Sequence, residues 1–278
     1  MIQDIGEHTF DNQYHPCPPD RESYALYYED HAALVRKYPD RIEFPKFRDI
    51  ERLNEDIYED AVYLFSIDGE RYYLVEEINR ERQSHFTMEN TEIFRYAEPQ
   101  YLAFAGIMGY QLHNWYQSRR FCGKCGRRMK KDSKERMLYC ESCHNMEFPK
   151  ICPAVIIGVT DGDKILMSKY AGRTYKKYAL LAGFTEIGET LEETVQREVM
   201  EEVGLKVKNI RYYKSQPWSF TDTLLMGFYC DLDGEADITL DREELAMAEW
   251  FQRDEIPVEP ERDSITNEMI IRFKNGEV

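Results

Sequence analysis

Four of the seven cysteines lie in two CxxC pairs, Cys122 with Cys125 and Cys140 with Cys143, and fourteen residues separate the pairs. Two turns of this kind can bring four thiolates around one Zn²⁺ in the tetrahedral geometry that zinc prefers. Because cysteine would fill every position, no ligand site would remain for a water molecule. The spacing therefore predicts one structural zinc ion per chain.

An alternative ligand and two glycines bear on this zinc site. Residues 140–144 also match CxxCH, the attachment pattern of c-type haem. A haem would leave the upstream pair unexplained and would require export of the protein, so we favour zinc. Gly123 and Gly126 stand inside and directly after the upstream pair, where we expect glycine to let the backbone turn tightly enough to point both sulfurs at one metal.

A second group of side chains is acidic and consists of Glu198, Glu201 and Glu202. On an α-helix, at 100° per residue, these three side chains fall within an arc of about 100°. Carboxylates held this close repel one another, and a bound cation offsets the repulsion. Oxygen ligands favour Mg²⁺ or Mn²⁺ over zinc, and such ions can neutralise phosphate charge and activate water. A solvated acidic helix is the alternative interpretation of the same glutamates.

The elements that must position these residues follow from the hydrophobic pattern. Leu191, Val195, Val199 and Val203 form an apolar stripe beside the glutamates, which predicts an amphipathic helix packed on a core. The sequence also predicts a hairpin from residues 61–67 and 71–76, a helix at 98–117, a second hairpin from 154–159 and 164–170, and a last helix at 264–274. Residues 1–58 are polar and rich in tyrosine, without a usable periodicity.

The acidic helix lies within a longer motif. Residues 183–205 read GFTEIGETLEETVQREVMEEVGL, which resembles the Nudix box at every defining position. The resemblance to Nudix hydrolases implies that Arg197 pairs with Glu189 to brace the loop and the helix. It also implies a metal-dependent hydrolase that cleaves a pyrophosphate bond.

The same resemblance assigns roles to individual residues. Glu198 and Glu202 would be the main ligands of a catalytic Mg²⁺ or Mn²⁺, and Glu201 would share ligand or base duty. The carbonyl of Ala182 would be a backbone ligand. We therefore expect Glu198, Glu201 and Glu202 to be the catalytic residues.

A further segment narrows the substrate. Residues 215–220 read SQPWSF, similar to the SQPWPFPxS signature of zinc-containing NADH pyrophosphatases. This implies cleavage of NAD(H) to AMP and nicotinamide mononucleotide, by metal-activated water attacking the adenylyl phosphorus. Aromatic rings near phosphate groups suit stacking on nucleotide bases, although core packing is the alternative for Trp218 and Phe220. The predicted substrate contacts are Phe148, Phe184, Gln216, Pro217, Trp218, Ser219, Phe220 and Thr223.

The sequence departs from the pattern of these pyrophosphatases in its substrate segments. Ser219 and Thr221 stand where the signature usually has proline, and the backbone that presents the aromatic residues is therefore less restricted. Phe148 stands before Pro149, where family members often have tyrosine. The ring is retained for stacking, but the hydrogen-bonding hydroxyl is lost.

Another departure concerns metal binding. The family segment E-A-x-W-F supplies an additional metal-contacting glutamate, and Met247 occupies its place here. Glu244 and Glu249 lie nearby in sequence as candidate substitutes for a metal or substrate contact. The number of catalytic metal ions therefore stays open.

Charge is unevenly distributed along the chain. The formal net charge is −16, but residues 119–136 contain nine basic and two acidic residues, a local net charge of +7. Nonspecific binding of a polyanion over the whole surface is therefore not expected, whereas this segment could guide RNA. The resemblance to NADH pyrophosphatases also implies action on RNA that bears a 5′ NAD cap, so removal of that cap is the second enzymatic hypothesis. A noncatalytic zinc-ribbon adaptor is the hypothesis from another class.

The location and assembly of the protein are inferred more indirectly. No segment approaches the roughly 20 apolar residues that span a bilayer, and acidic Asp4 and Glu7 stand where a secretory signal would be basic and then apolar. We expect a cytoplasmic protein without a membrane partner. The family resemblance implies a homodimer in which neighbouring subunits complete one pocket.

The expected fold class is α+β. We predict an N-terminal α+β domain at residues 1–118, a small zinc ribbon at 119–150, and a C-terminal Nudix α/β/α sandwich with a mixed sheet at 151–278.

Overall fold

The computed structural model describes residues 1–54, 56–79, 85–172, 177–262 and 264–278. The chain divides into two compact units. The unit that we call the N-terminal unit comprises Ile2–Lys150 and Ser219–Thr221, and the C-terminal unit comprises Met1, Ile151–Trp218 and Asp222–Val278. None of the helices in the described ranges has both the length and the apolar character needed to cross a membrane.

The N-terminal unit is built from short strands, two α-helices and a 3-10 helix. Its elements are β1 (Phe10–Asp11), β2 (Tyr24–Leu26), β3 (Tyr28–Glu29), β4 (Ala32–Lys37), β5 (Ile42–Glu43), α1 (Phe47–Ile50), β6 (Val62–Ile67), β7 (Glu70–Leu74), β8 (Thr87–Asn90), the 3-10 helix Thr91–Arg95, α2 (Gln100–Ser118), β9 (Lys130–Lys131), β10 (Leu138–Tyr139) and β11 (Met146–Glu147). One sheet has the order β1-β6-β7-β2, and in another β4 pairs with β3, β5 and β8. The last three strands form a separate antiparallel sheet, β11-β10-β9, within the cysteine-containing segment.

Two sequence predictions for this unit are confirmed. The first hairpin consists of β6 and β7, and its turn contains Asp68 with φ 53° and Gly69 with φ 80°. Consecutive residues with positive φ match the right-handed twist of the flanking strands in a tight hairpin. The predicted helix is α2, whose Phe104 and Trp115 are buried in the core of the unit.

The C-terminal unit contains a six-stranded sheet and two α-helices. Its elements are β12 (Cys152–Asp161), β13 (Lys164–Tyr170), β14 (Leu181–Phe184), α3 (Leu191–Val203), β15 (Val207–Trp218), β16 (Thr223–Leu232), β17 (Leu245–Gln252), the 3-10 helix Arg253–Glu255 and α4 (Ile265–Lys274). The strand order is β15-β16-β12-β13-β17, with β14 paired to β12. The β12 and β16 strands run parallel and the remaining pairs are antiparallel, which makes the sheet mixed.

The helices of the C-terminal unit cover opposite faces of its sheet. Along β12, Val155 and Ile157 pack in one buried cluster with Val195 and Val199 of α3, whereas Ile156 packs in another cluster with residues of α4. Alternating side chains of a strand point to opposite faces. The arrangement is therefore an α/β/α sandwich, and the predicted fold class, second hairpin and last helix are confirmed.

Gly204 ends α3 in a conformation that few other residues adopt. Its φ is 70°, and a Cβ added to it would lie 2.9 Å from Cβ of Thr239. Gly162, in the β12–β13 turn, has φ 59° but open space around an added Cβ. We expect Gly162→Ala to lower the free energy of unfolding by about 1 to 2 kcal/mol, which is the left-handed backbone cost for an L-residue.

Gly204→Ala should lower the free energy of unfolding by about 1 kcal/mol more than Gly162→Ala, because crowding against Thr239 adds to the backbone cost. Urea unfolding followed by circular dichroism measures both variants. An equal loss of unfolding free energy in the two variants would show that the backbone at the end of α3 relaxes to accommodate the added methyl group.

Candidate active site

Hydrogen bonds at its first turn fix where α3 begins. The hydroxyl of Thr190 accepts from the backbone N–H of Glu193 at 3.2 Å, and the Glu193 carboxylate accepts from the backbone N–H of Thr190 at 2.8 Å. This reciprocal pair satisfies two donors that the helix itself leaves without a partner. The helix start, and with it the rotation of every later side chain, is thereby set.

Arg197 connects the helix to the loop before it and to strand β14. Its guanidinium contacts both carboxylate oxygens of Glu189, with Nε at 2.6 Å from Oε1 and Nη2 at 2.9 Å from Oε2. Nη2 also donates to the carbonyl of Phe184 at 2.9 Å. The Arg197 hydrogen bonds lower the pKa of Glu189 to about 2, helped by the backbone N–H of Glu186 and the hydroxyl of Thr194. The implied pairing of Arg197 with Glu189 is confirmed.

The same guanidinium bridges two of the three predicted catalytic glutamates. Nη1 of Arg197 lies 2.7 Å from Oε1 of Glu198 and 2.9 Å from Oε2 of Glu201. Glu198 is only 8% exposed, and its burial raises the pKa of the carboxyl although Arg197 acts in the opposite direction. Glu201 is exposed, and its charge contributes to the rise in the pKa of Glu198.

Gly183 gives the Glu198 carboxylate its place against β14. A Cβ built on Gly183 would lie 1.9 Å from the carboxyl carbon of Glu198, so no residue with a side chain fits there without displacing the glutamate. Ala182, the predicted backbone ligand, directly precedes this glycine in β14. The packing therefore brings the Glu198 carboxylate against the strand that carries the Ala182 carbonyl.

Glu202 lies one turn further along α3. It is 2% exposed, and its backbone carbonyl accepts from the N–H of Asp241 at 2.9 Å. Glu198 and Glu202 are thus buried acidic side chains of one helix face, while Glu201 extends into solvent. Burial of two carboxylates on one face is costly unless positive charge compensates for it.

These residues fit a divalent cation with a preference for oxygen ligands. The donor set of Glu198, Glu202 and the Ala182 carbonyl contains only oxygen, and such ligands suit hard cations. The glutamates are nevertheless spread out. Within the described ranges, the only group of three or more potential metal-binding side chains with ligand atoms all within 4.8 Å of one another is a cysteine group. Arg197 Nη1 stands between Glu198 and Glu201 and supplies the compensating charge in this arrangement.

Residues near the start of β17 include the candidate substitutes for the missing family glutamate. The backbone carbonyl of Glu244 accepts a hydrogen bond from the backbone N–H of Ala171 at 2.8 Å. The negative charge of the Glu244 side chain contributes to the raised pKa of Glu198. Met247 pairs across the sheet with Lys169, and Glu249 pairs with Met167. Because Met167 is buried on the α4 side, the alternation of side chains places Glu249 and Met247 on that side as well.

The signature residues at the end of β15 have varied environments. Gln216 is fully buried, and its Oε1 accepts from the backbone N–H of Ile265 at 2.8 Å, at the first turn of α4. Pro217 and Trp218 are partly exposed, and Trp218 pairs with buried Thr223 across β15 and β16. The contact with α4 gives Gln216 a structural role that its sequence context did not indicate.

Ser219 and Phe220 belong to the N-terminal unit. The Ser219 hydroxyl lies 3.1 Å from the sulfur of Met108 in α2. The guanidinium carbon of Arg95 lies 4.5 Å from the ring centre of Phe220, within the range of a cation–π contact. Their predicted contact with substrate stays a prediction.

Two predicted aromatic contacts are open to solvent. Phe184, at the end of β14, is 56% exposed, and Phe148, directly after β11, is 53% exposed. An exposed aromatic ring leaves apolar surface available for stacking. The structure thus leaves both rings accessible within their own units.

The four cysteines come together in the ribbon. The sulfurs of Cys122 and Cys143 are 3.5 Å apart, those of Cys125 and Cys140 are 3.4 Å apart, and all four lie within 4.8 Å of one another. These separations exceed the S–S bond length of about 2.05 Å, so the thiols are free. The backbone N–H of Cys143, together with that of Ser142, lowers the pKa of Cys140 to about 7, which favours the metal-binding thiolate.

Two equivalent turns hold these thiols. Gly126 N–H donates to the Cys122 carbonyl at 2.8 Å, and His144 N–H donates to the Cys140 carbonyl at 2.9 Å. Gly126 has φ 73° and His144 has φ 57°. Gly123 lies outside the positive-φ region and has open space around an added Cβ, so the prediction that the turn requires glycine there is wrong.

Comparison with protein families agrees with both sites. The NUDIX domain model matches residues 150–273, and the NADH pyrophosphatase zinc ribbon domain model matches residues 117–148. Residues 150–273 thus match a Nudix domain, and the segment before them matches the zinc ribbon of NADH pyrophosphatases. The predicted family and the predicted structural zinc site are confirmed by these matches and by the cysteine geometry.

Individual relatives match somewhat more than half of the chain. The NAD-capped RNA hydrolase NudC of Photorhabdus laumondii is 41% identical over 162 residues, which cover 58% of this chain and 63% of that protein. NudC of Enterobacter sp. (strain 638) is 41% identical, with 58% and 62% covered. The chain thus spans somewhat less than two thirds of the length of these curated relatives. A crystal structure of a Nudix hydrolase from Nitrosomonas europaea has a TM-score of 0.49 at 25% identity, covering 56% of this chain and 90% of that one.

The low pKa of Glu189 predicts a pH-dependent contribution to stability. In the unfolded chain a glutamate has a pKa of about 4.3, whereas Arg197 holds that of folded Glu189 at about 2. The stabilisation is therefore fully present above the unfolded pKa and is lost as the pH falls through about 4.3 toward 2. Glu189→Gln should reduce the fall in unfolding free energy over this range, as measured by urea unfolding at a series of pH values.

Glu192→Gln is the matched control for this measurement. Glu192 is an exposed glutamate of the first turn of the same helix. We expect this variant to retain the acid sensitivity of the unmodified protein. If Glu189→Gln and Glu192→Gln gave the same pH profile, the Arg197 pair would not be a determinant of acid stability.

Proposed function

We propose that the protein hydrolyses the pyrophosphate bond of NAD(H), giving AMP and nicotinamide mononucleotide. The observation that supports this most directly is the buried Glu198 carboxylate, seated against Gly183 and contacted by Arg197, on the helix of a Nudix domain. The accompanying zinc ribbon matches the NADH pyrophosphatase type, which favours a dinucleotide substrate. The names of the NudC relatives also contain NAD.

Glu198 and Glu202, with the Ala182 carbonyl, would hold the Mg²⁺ or Mn²⁺ that this reaction requires. The ion, when bound, neutralises phosphate charge and makes water a better nucleophile. Glu198 must be deprotonated to act as a ligand, and Arg197 favours its charged form. Glu201 would share ligand or base duty, because its exposed carboxylate can rotate away from Arg197 without opening the core.

Aromatic side chains would orient the two nucleotide halves of the substrate. Phe184 directly follows Gly183, and its exposed ring therefore lies one residue from the backbone that seats Glu198. Stacking on this ring would place a base close to the phosphates and contribute roughly 1 to 3 kcal/mol. Trp218 and Phe148 are the further proposed stacking residues. Gln216 would act indirectly, through the hydrogen bond that it accepts from the first turn of α4.

Glu244 is the favoured substitute for the glutamate that Met247 replaces. Its charge acts on Glu198, whereas Glu249 occupies the α4 side of the sheet. The family resemblance also supports a homodimer in which the subunits complete one pocket. The two CxxC pairs suit metal binding in a reducing compartment, which favours a cytoplasmic location.

Conversion of Glu202 to glutamine tests the catalytic role of the helix. We expect Glu202→Gln to lower the rate of AMP release from NADH with Mn²⁺ by about 10²-fold or more, because it removes a charged ligand from the phosphate site. The variant should stay folded, since glutamine fills the same volume. Glu192→Gln, which also removes one carboxylate from α3, should keep the full rate.

Chromatographic measurement of AMP gives the rates, and thermal unfolding verifies the fold of each variant. No AMP from the unmodified protein with either metal would favour the noncatalytic zinc-ribbon adaptor. Equal rates for Glu202→Gln and the unmodified protein would show that Glu202 has no part in catalysis.

Removal of the NAD cap from RNA is the second candidate function. It is favoured by the names of the NudC relatives and by the exposed basic residues of the ribbon, among them Lys124, Arg127 and Arg128. Neutralisation of RNA phosphates by such residues releases counterions, so binding weakens steeply as the salt concentration rises.

Turnover of free NADH and of NAD-capped RNA at two salt concentrations separates the candidates. If RNA is captured by the ribbon, kcat/KM for the capped RNA should fall several-fold between about 50 and 200 mM salt, because added salt opposes the release of counterions from the RNA. Turnover of free NADH should change little. Equal and salt-insensitive rates for both substrates would eliminate RNA capture.

A further inference from the structure

A large cleft lies within the N-terminal unit, in a part of the molecule that the proposed hydrolysis does not use. Its volume is about 940 Å³, and its lining comes from the proline-containing segment 16–19, the chain leading into β6, the end of α2 and the ribbon. A volume of this size is in the range of sites that bind small molecules and cofactors. The lining combines tyrosine rings with separate basic and acidic residues.

Within the part of the chain that the structure describes, the ribbon contributes to the cleft lining two arginines with no acidic partner. Lys131 in the lining pairs with Glu76 at 3.0 Å, and Arg119 pairs with Glu147 at 3.7 Å. In contrast, neither Arg120 nor Arg128 forms an ion pair within the described ranges. The Arg120 guanidinium contacts the Gln117 side chain oxygen, at 3.5 Å.

The backbone segments that carry the two arginines are paired with each other, and both side chains line the cleft. Arg128 pairs with Phe121 in an antiparallel bridge, and the N–H of Met129 donates to the carbonyl of Arg120 at 2.9 Å. They therefore belong to two adjacent, paired segments of the first cysteine turn. Two guanidinium groups with free donors form a suitable contact for the several oxygens of a phosphate.

Tyrosines form the apolar part of the lining. Tyr63 and Tyr116 are mostly buried, and Tyr14 and Tyr58 are half-buried. The Tyr14 ring is fixed, because its hydroxyl donates to the Asp132 carbonyl at 3.2 Å and its face lies 5.3 Å from the guanidinium carbon of Arg136. A ring that is already fixed loses little conformational freedom when a planar ligand stacks on it.

Acidic residues supply a third kind of contact. Glu59 and Asp60, directly before β6, are exposed in the lining, and within the described ranges neither forms an ion pair. Free carboxylates accept hydrogen bonds from amino groups. They also repel a ligand that is purely anionic, so the lining selects a molecule with an anionic group at one end and hydrogen-bond donors at the other.

We propose that this cleft is a second nucleotide-binding site, in which Arg120 and Arg128 hold the phosphate, tyrosine rings contact the base, and Glu59 and Asp60 accept from an exocyclic amino group. The ligand is an adenine- or cytosine-type nucleotide, either free or as one unit of a single-stranded RNA. Arginine with aromatic stacking is the general means by which proteins bind single-stranded nucleic acid. The site is independent of the Nudix helix, and its occupancy does not require hydrolysis.

Equilibrium dialysis with radiolabelled AMP tests the site directly. The background protein for this experiment is the full chain with the substitutions Glu198→Gln and Glu202→Gln. No divalent cation is added, so that the Nudix helix cannot retain AMP through a metal ion. In this background, Arg120→Ala combined with Arg128→Ala should weaken AMP binding about tenfold or more, because hydrogen bonds to a charged group are removed.

The matched control removes two charges outside both the cleft lining and the ribbon. Lys206→Ala combined with Lys208→Ala has the same effect on net charge, and both lysines are exposed residues of the C-terminal unit. This control should change AMP affinity less than about twofold, because neither lysine lines the cleft. Absence of AMP binding in the background protein, or equal losses in both double variants, would overturn the proposal.

The acidic contacts give a readout that does not depend on the arginine variants. AMP should bind more tightly than inosine monophosphate, which has a carbonyl in place of the amino group. Glu59→Gln combined with Asp60→Asn should reduce that preference. If the background protein did not distinguish the two nucleotides, the acidic residues would have no part in binding and the assigned orientation would be wrong.

A 5′-phosphorylated, single-stranded RNA of ten nucleotides identifies the source of the nucleotide. Tighter binding of this RNA than of AMP, competition between the two, and a steep decrease with salt would support the site with RNA as its occupant. AMP binding that the RNA does not displace would support the site with a free nucleotide. Either result supports the site only if the double variant Arg120→Ala with Arg128→Ala no longer binds the ligand.

Discussion

The contact between one guanidinium group and three carboxylates organises the Nudix helix. Arg197 reaches Glu189 in the preceding loop, Glu198 and Glu201 on its own helix, and the carbonyl of Phe184 in β14. The planar guanidinium has five N–H donors, which suffice for these four partners, whereas a lysine has only three. The loop, the helix and the strand are therefore connected through a single side chain.

This contact depends on the packing of the sheet. Val195, Val199 and Val203 are fully buried beneath α3, and they set the rotation that turns Glu198 toward β14. Gly183 then leaves the space in which the carboxylate lies. The hydrophobic stripe of α3 and the absence of a side chain at Gly183 together place the Glu198 carboxylate in a buried position, although desolvation disfavours a buried charge. The raised pKa of Glu198 is the electrostatic consequence of that placement.

The sequence allowed the positions of these elements to be predicted because their signals are local. The stripe of α3, the turn residues of both hairpins and the spacing of the cysteines each lie within a short segment. The architecture of the first 58 residues was not predictable, because β1, β3 and β5 have two residues each and show no period. The bridging of Glu198 and Glu201 by Arg197 was missed as well, although the four-residue separation of Arg197 and Glu201 is a known spacing for helical ion pairs. The burial of Gln216 depends on α4, which lies 49 residues further along the chain.

The zinc ribbon and the proposed cation site of the Nudix helix differ in how far the protein prepares them. In the ribbon, backbone N–H groups lower the pKa of Cys140 and equivalent turns hold four sulfurs within 4.8 Å, so the ligands are already gathered in one place. In the Nudix helix, a guanidinium stands between Glu198 and Glu201, and in the proposed reaction a bound cation would take over part of its electrostatic role. A closed set of four thiolates excludes water and stabilises a fold, whereas carboxylates that exchange partners leave coordination positions for a phosphate and a water molecule. The difference in ligand preparation is therefore the physical reason why the zinc site is structural and the glutamate site is suited to chemistry.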